Sequence, residues 1–203
     1  MKLYDHPLSP NARRVRMFLA EKSIELPCEE VDLMHGGTRT PEYLVKNPMG
    51  QIPLLQFDDG SYLAESVAIC RYFEEAQPNP PLFGTTARGK AEVEMWSRRI
   101  ELGVFQPLLT VWKHTDPTWA TRTQQIATVA DAEKGRVAHG LAVLDAALDK
   151  AEFLAGDRFS IADILGLCTL DFGLAAVHVS PAPELHNLAR WRADVAARPS
   201  ARA

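Results

Sequence analysis

Apolar positions come in short bursts near the start of the chain and settle into helical spacing further on. Lys2 to Asp5 is predicted as a short strand, and Pro10 to Lys22 as a helix with Ala12, Val15, Phe18 and Leu19 on one face. Pro27 to Leu33 is expected to be a second strand, and Met34 to Thr40 a glycine-containing loop. Leu54 to Phe57 and Tyr62 to Ala64 read as a hairpin turned at Asp58-Asp59-Gly60, and Ser66 to Ala76 as a helix. Gln77-Pro78-Asn79-Pro80-Pro81 is then a stiff linker, after which strand signals stop. Arg88 to His114 has helical spacing through Trp96, Ile100, Phe105, Leu108 and Trp112 until Asp116-Pro117 breaks it. Ile126, Val129, Val137, Leu141, Leu144 and Leu148 mark a long second helix. Ser160 to about Val177 is apolar on every side and therefore buried, and Glu184 to Ala197 stops ahead of Pro199. An α/β domain over 1–77, a linker over 78–87 and an all-helical domain over 88–203 are the expected organisation.

Two helix starts carry different messages. In Phe159-Ser160-Ile161-Ala162-Asp163-Ile164, Ser160 can cap the first turn and Asp163 can reach back to the Ser160 N–H, with Phe159 and Ile164 at staple positions. That is a folding device. The stretch Asn47-Pro48-Met49-Gly50-Gln51-Ile52-Pro53, followed by Glu65-Ser66, asks for another explanation. Proline at the head of a buried strand gives up a ladder donor. A cis bond at Pro53 would free the Ile52 backbone to face a ligand. A helix start at Ser66 would offer unpaired N–H groups to a carboxylate. Together they describe a peptide-like, carboxylate-bearing ligand held by backbone.

Ser9-Pro10 is a third helix start, with serine suited to the cap and proline to the first helical position. A thiol placed there would feel the positive end of the helix and take a hydrogen bond from the Ser9 hydroxyl, both of which favour thiolate. Lowering a thiol pKa by about two units needs about 2.7 kcal/mol of preference for the anion. One hydrogen bond to a charged group together with a helix end can supply that. Ser9-Pro10-Asn11-Ala12 contains no cysteine, so dithiol chemistry at this helix start is excluded and any thiol there would belong to a ligand.

Composition narrows the field. With 203 residues and a formal charge of −4, the chain can bury a real core and carries no nucleic-acid footprint. Arg13, Arg14 and Arg16 are expected on a solvated helix face. The three cysteines, Cys28, Cys70 and Cys168, have no pairing or metal spacing, and the six histidines no i, i+4 pair, so no metal site is expected. No apolar leader follows Met1 and no run is long enough to span a membrane, which makes a reducing, cytoplasmic location the default.

The order Ser9-Pro10, Asn47-Pro48, Gly50-Gln51-Ile52-Pro53, Glu65-Ser66 and Ser160-Ile161-Ala162-Asp163 resembles that of the soluble glutathione S-transferases, and the likeness runs to Arg198-Pro199-Ser200. The resemblance implies a thioredoxin-like domain followed by a helical bundle, in a homodimer. It implies glutathione as co-substrate, its ionised sulfur attacking a small hydrophobic electrophile. Carried over residue by residue, Ser9 becomes the thiolate donor, with Asn11 as a second donor and Tyr4 in reserve. Ile52 pairs its N–H and C=O with the cysteinyl part, flanked by Gln51 and Pro53 in the glutathione site, while Ser66 takes the γ-glutamyl carboxylate and Glu65 the ammonium. Arg39 lies where the family often places a cation for the glycyl carboxylate. The family often has a histidine just before that cation; here it is Thr38, with His35 further upstream. Phe105, Leu108, Trp112 and Trp119 are the expected wall of the electrophile site. Two alternatives use the same residues: a glutathione-dependent isomerase or reductive lyase, and a non-catalytic glutathione- or hydrophobe-binding protein. Leu8-Ser9-Pro10-Asn11 lacks the Ser-Ser-Cys type of stretch that marks the maleylacetoacetate isomerase branch.

Overall fold

The structure, a computed structural model, describes residues 1–203. It divides into two compact units, one of Met1–Pro81 with Pro199–Ala203 and one of Leu82–Arg198. The last five residues, expected with the helical domain, thus belong with the first unit, where Ala201 C=O accepts from Arg13 Nη2 at 2.9 Å.

The first unit runs β1 (Lys2–Asp5), α1 (Pro10–Glu21), β2 (Cys28–Glu30), α2 (Pro41–Lys46), β3 (Leu54–Gln56), β4 (Tyr62–Ala64), α3 (Ser66–Ala76). The sheet order is β2-β1-β3-β4, parallel between β1 and β2 and antiparallel elsewhere. Because side chains alternate along a strand, the register partners Leu3 and Leu55 share one face while Tyr4 and Leu54 share the other. On that second face Tyr4, Leu54, Ile52, Ala12, Val31 and Tyr43 form one core cluster. Helix α2 falls in a stretch the periodicity leaves blank. Six residues are too few to establish a period, but Pro41 opens the helix and Thr40 Oγ1 caps the Tyr43 N–H at 3.2 Å. A 3-10 turn, Gly37–Arg39, precedes it. Strand β2 is shorter than expected and all three of its residues are exposed, so burial does not extend it.

At the other end of α1, Lys22 is a fully buried cation. Its Nζ pairs with Glu74 of α3 at 2.5 Å and donates to the carbonyls of Gln77 and Pro80 at 2.8 and 2.7 Å. A lone ammonium there would carry a large desolvation penalty; three acceptors offset it and fasten the beginning of the linker.

The second unit holds α4 (Ala87–Ile100), α5 (Gln106–Thr115), α6 (Ala127–Leu148), α7 (Ile161–Phe172) and α8 (His186–Ala196). The helix expected over 88–114 is α4 and α5 joined through a π turn at Glu101–Phe105, and a second π turn, Gly173–Val177, follows α7. A π turn holds one more residue than an α turn, and hydrophobic spacing alone does not reveal it. Helix α6 crosses the first π turn closely, since a Cβ on Gly140 would lie 2.6 Å from the Gly103 carbonyl oxygen. Helix α7 is buried on all sides, as its composition required. Its start is the expected capping box, and it does more than cap. Asp163 accepts from the Ser160 N–H (2.9 Å), the Ser160 hydroxyl (3.1 Å), the Leu154 N–H (2.9 Å) and the Trp191 indole N–H of α8 (2.8 Å). Burial pushes this carboxyl up, and the four donors pull against that shift.

Candidate functional site

Three backbone features of the first unit bear the residues expected to bind. The loop Asn47–Gln51 is braced from inside. Asn47 Oδ1 accepts from the Met49 N–H at 3.1 Å, and Asn47 Nδ2 and the Tyr43 hydroxyl both donate to the Gln51 carbonyl, at 2.8 and 2.9 Å. Burial, and then the neighbouring Tyr4, push the Tyr43 phenol up, so it stays protonated and keeps donating. Gly50 has φ +58°, and a Cβ there would meet Arg39 Nη1 at 2.6 Å and the Thr38 carbonyl at 2.8 Å, so only glycine fits. With the loop spent on itself, the next residue is left over. The Ile52–Pro53 bond is cis, the Ile52 side chain is in the core cluster, and neither the N–H nor the C=O of Ile52 is hydrogen-bonded within the chain. Gln51 is exposed; Pro53 is buried.

Glu65 turns the chain into α3 with φ +70°, a left-handed value that a side chain adopts only at a cost of about 1–3 kcal/mol. The turn withholds the usual cap. No side chain bonds the first N–H groups of α3, and the first helical bond runs from Ile69 to Glu65. The N–H groups of Ser66 and Val67 are therefore unclaimed, the Ser66 hydroxyl makes no bond within the chain, and the Glu65 carboxylate is exposed beside them. This end of α3 can receive an amino acid head: donors and the positive helix end for its carboxylate, a carboxylate for its ammonium.

At the start of α1 the Ser9 hydroxyl oxygen accepts from the Ala12 N–H at 3.2 Å. Its proton has no acceptor in the chain. Capping the helix and donating to a ligand sulfur are thus two halves of one hydroxyl's bonding, not rival roles. Asn11, one turn position along, has its Oδ1 buried without a donor. Its amide Nδ2 still carries two donors, so Asn11 keeps its place as a second donor beside the Ser9 hydroxyl. Tyr4 is committed elsewhere, donating to Gln56 Oε1 at 3.1 Å and accepting from Lys46 Nζ at 3.0 Å. Arg39 is exposed and gives one Nη1 bond to the Met49 carbonyl, at 3.1 Å, keeping its other donors. His35 is turned to Asp32, at 2.8 Å.

The wall residues lie in the second unit and divide by burial. Phe105 and Leu108 are core, Phe105 edge-on to Phe172 and Leu108 against Gly173. Trp112 and Trp119 are half-buried, edge to face with centroids 5.1 Å apart, and the Trp119 indole N–H is buried with no acceptor in the chain. Neither a groove of about 690 Å³ beside Leu102, Gly103, Gly140 and Val143, nor a smaller one of about 370 Å³ beside Asp116 and His178, contains Trp112 or Trp119. No helix is long and apolar enough to cross a membrane. The residues that sequence reasoning missed are the braces, Tyr43 and Asn47 above all. Asn-Pro followed by Gly was a visible loop signal, but which carbonyl the amide would claim was not.

Known proteins carry the same two units in the same order. The family model described as glutathione S-transferase, N-terminal domain, matches residues 3–81, and that for the C-terminal domain residues 103–199. Glutathione S-transferase 2 of Saccharomyces cerevisiae is 32% identical over 98% of this chain and 87% of its own length. The crystal structure of a glutathione S-transferase domain-containing protein from Marinobacter aquaeolei VT8 is 35% identical, with a TM-score of 0.92 over 98% of this chain and 99% of that one. A glutathione S-transferase-I solved with lactoylglutathione bound has a TM-score of 0.82 at 26% identity, covering 99% and 96% of the two chains. With both domains matched and the likeness running end to end, the chain belongs to the glutathione S-transferase family.

Proposed function

We propose that this glutathione transferase ionises the thiol of bound glutathione at the start of α1 and delivers the sulfur to a soft, hydrophobic electrophile. The observation that carries the reading is the Ser9 hydroxyl, which is fixed by the Ala12 N–H and has an unspent proton. The Ile52 N–H and C=O pair with the cysteinyl unit, as a strand pairs with a peptide. Ser66, the Val67 N–H and Glu65 take the γ-glutamyl head, and Arg39 takes the glycyl carboxylate, for which a guanidinium offers two parallel donors. The Asn11 side-chain amide, with two N–H donors, is the second donor to the sulfur beside Ser9. With its pKa lowered, the bound thiol releases its proton to solvent, and the gain comes from holding the anion close to its target.

Trp112 and Trp119, half-buried and edge to face, are the wall residues we retain for the electrophile. A cytoplasmic homodimer with a detoxifying role agrees with the family and with three cysteines none of which is in a disulfide. Sedimentation at micromolar concentration tests the dimer. Ultraviolet difference titration of glutathione across pH tests the activation. A saturable thiolate band persisting well below pH 8 is the expected result; saturable binding without that band would reduce the protein to a glutathione binder.

A further inference from the structure

One ion pair lies under the loop that delivers Ser9. Asp5 ends β1, and Arg16 sits seven residues beyond Ser9 on α1, two turns along the same face. Arg16 Nη1 donates to both carboxylate oxygens, at 2.7 and 2.8 Å, and both side chains are largely buried. The carboxylate also accepts the His6 N–H at 2.6 Å. The guanidinium then reaches the loop itself, with Nη1 3.5 Å from the His6 carbonyl and Nη2 3.3 Å from the Pro7 carbonyl. That same His6 carbonyl accepts the Ser9 N–H at 3.0 Å, and His6 Nδ1 accepts the Leu8 N–H at 3.2 Å. Asp5, His6 and Pro7 are thus held by one guanidinium, and Leu8 and Ser9 are tied to His6. None of these bonds involves the Ser9 side chain, whose oxygen is held separately by Ala12.

We infer that Asp5 and Arg16 are positioning residues for thiol activation, fixing where the Ser9 hydroxyl points by holding the His6 and Pro7 carbonyls. The inference rests on the assignment of Ser9 as thiolate donor. A guanidinium suits this task because its planar fork can serve a carboxylate and a carbonyl from adjacent nitrogens. An ammonium can keep the ion pair but has no second arm for the Pro7 carbonyl. Arg16→Lys therefore separates holding the fold from aiming the hydroxyl.

The test measures the pKa of bound glutathione by its thiolate absorbance in four proteins: wild type, Ser9→Ala, Arg16→Lys and the double variant. Thermal unfolding is followed alongside. Arg16→Lys is expected to raise the bound thiol pKa by about one unit, with turnover at pH 6.5 falling about 10-fold and glutathione affinity nearly unchanged. In the Ser9→Ala background the same change is expected to do nothing further, the mark of residues acting through one another. If Arg16→Lys proves too unstable, Asp5→Asn combined with Arg16→Gln removes both buried charges and should still raise the pKa. A raised pKa in Ser9→Ala but an unchanged one in the folded Arg16 variants would overturn the positioning role and leave the assignment of Ser9 intact. An unchanged pKa in Ser9→Ala would remove Ser9 as donor, and the positioning inference with it.

Discussion

The starts of α7 and α3 use similar residues to opposite ends. At α7 every donor is consumed: Ser160 and Asp163 cap the helix, and the carboxylate gathers a further backbone N–H and the Trp191 indole. At α3 a carboxylate and a serine again stand side by side, yet Glu65 takes a left-handed backbone and caps nothing. Buried donors without partners carry a free-energy penalty, so a helix end left open is a fold waiting for something to close it. Helix α1 is the intermediate case, with its hydroxyl oxygen engaged and its hydroxyl proton free. What separates a folding device from a binding device is the balance of unspent hydrogen bonds, not the residue types.

Breaking the closed end should have the largest effect. Asp163→Ala strands the Trp191, Leu154 and Ser160 N–H groups, which at about 1 kcal/mol or more each costs about 3 kcal/mol, or about 6–12 °C in Tm. A calorimetric shift under 2 °C would contradict this account of α7. Next comes the half-open end. Ser9→Ala should lose roughly 10-fold to 1000-fold in turnover with glutathione affinity largely kept, and about 1 kcal/mol of stability through the lost cap. Steady-state kinetics retaining full turnover would move the role to another donor. At the open end, Ser66→Ala should weaken glutathione by about 10-fold, within the range of one hydrogen bond to a charged group, with stability changed by less than about 0.5 kcal/mol. Calorimetric titration and melting curves read both halves, and a large loss of Tm would mean that Ser66 is a structural cap after all. The smallest effect sharpens the contrast most. Glu65→Gly removes the backbone cost and should leave stability equal or higher by up to about 1 kcal/mol, while glutathione binds less well for want of the carboxylate. A destabilised Glu65→Gly protein would show that the left-handed turn is not under strain.

Much of this was legible because the relevant residues punctuate the backbone. Ser9-Pro10, Ile52-Pro53 and Ser160 with Asp163 each declare a chain direction and a set of donors before any packing is known. Helix α2 was not legible, since Pro41 to Lys46 offers six residues and no period, and its support comes from Thr40 and from Tyr43 in the core cluster. The π turns escaped because apolar spacing reports burial, not hydrogen-bond ring size. Phe105 and Trp112 share one helical stripe in the sequence; only the packed helices sort the first into the core and leave the second half-exposed. The Asp5–Arg16 pair was hidden for a further reason. The arginine sat in a basic cluster that composition assigns to solvent, and its partner lies on a strand eleven residues away.

The π turn at Glu101–Phe105 determines where this protein can change length. Deleting one residue from an α-helix rotates everything beyond it by about 100°, which would swing Leu108 and Val111 out of the core. A π turn already contains the extra residue, so losing one there restores a plain helix with the phase of α5 unchanged. Leu102, exposed within that turn, is the position where such a deletion would meet least resistance. In the currency of insertions and deletions, the α4–α5 rod is rigid everywhere except at this one turn, where a change of length need not become a change of direction.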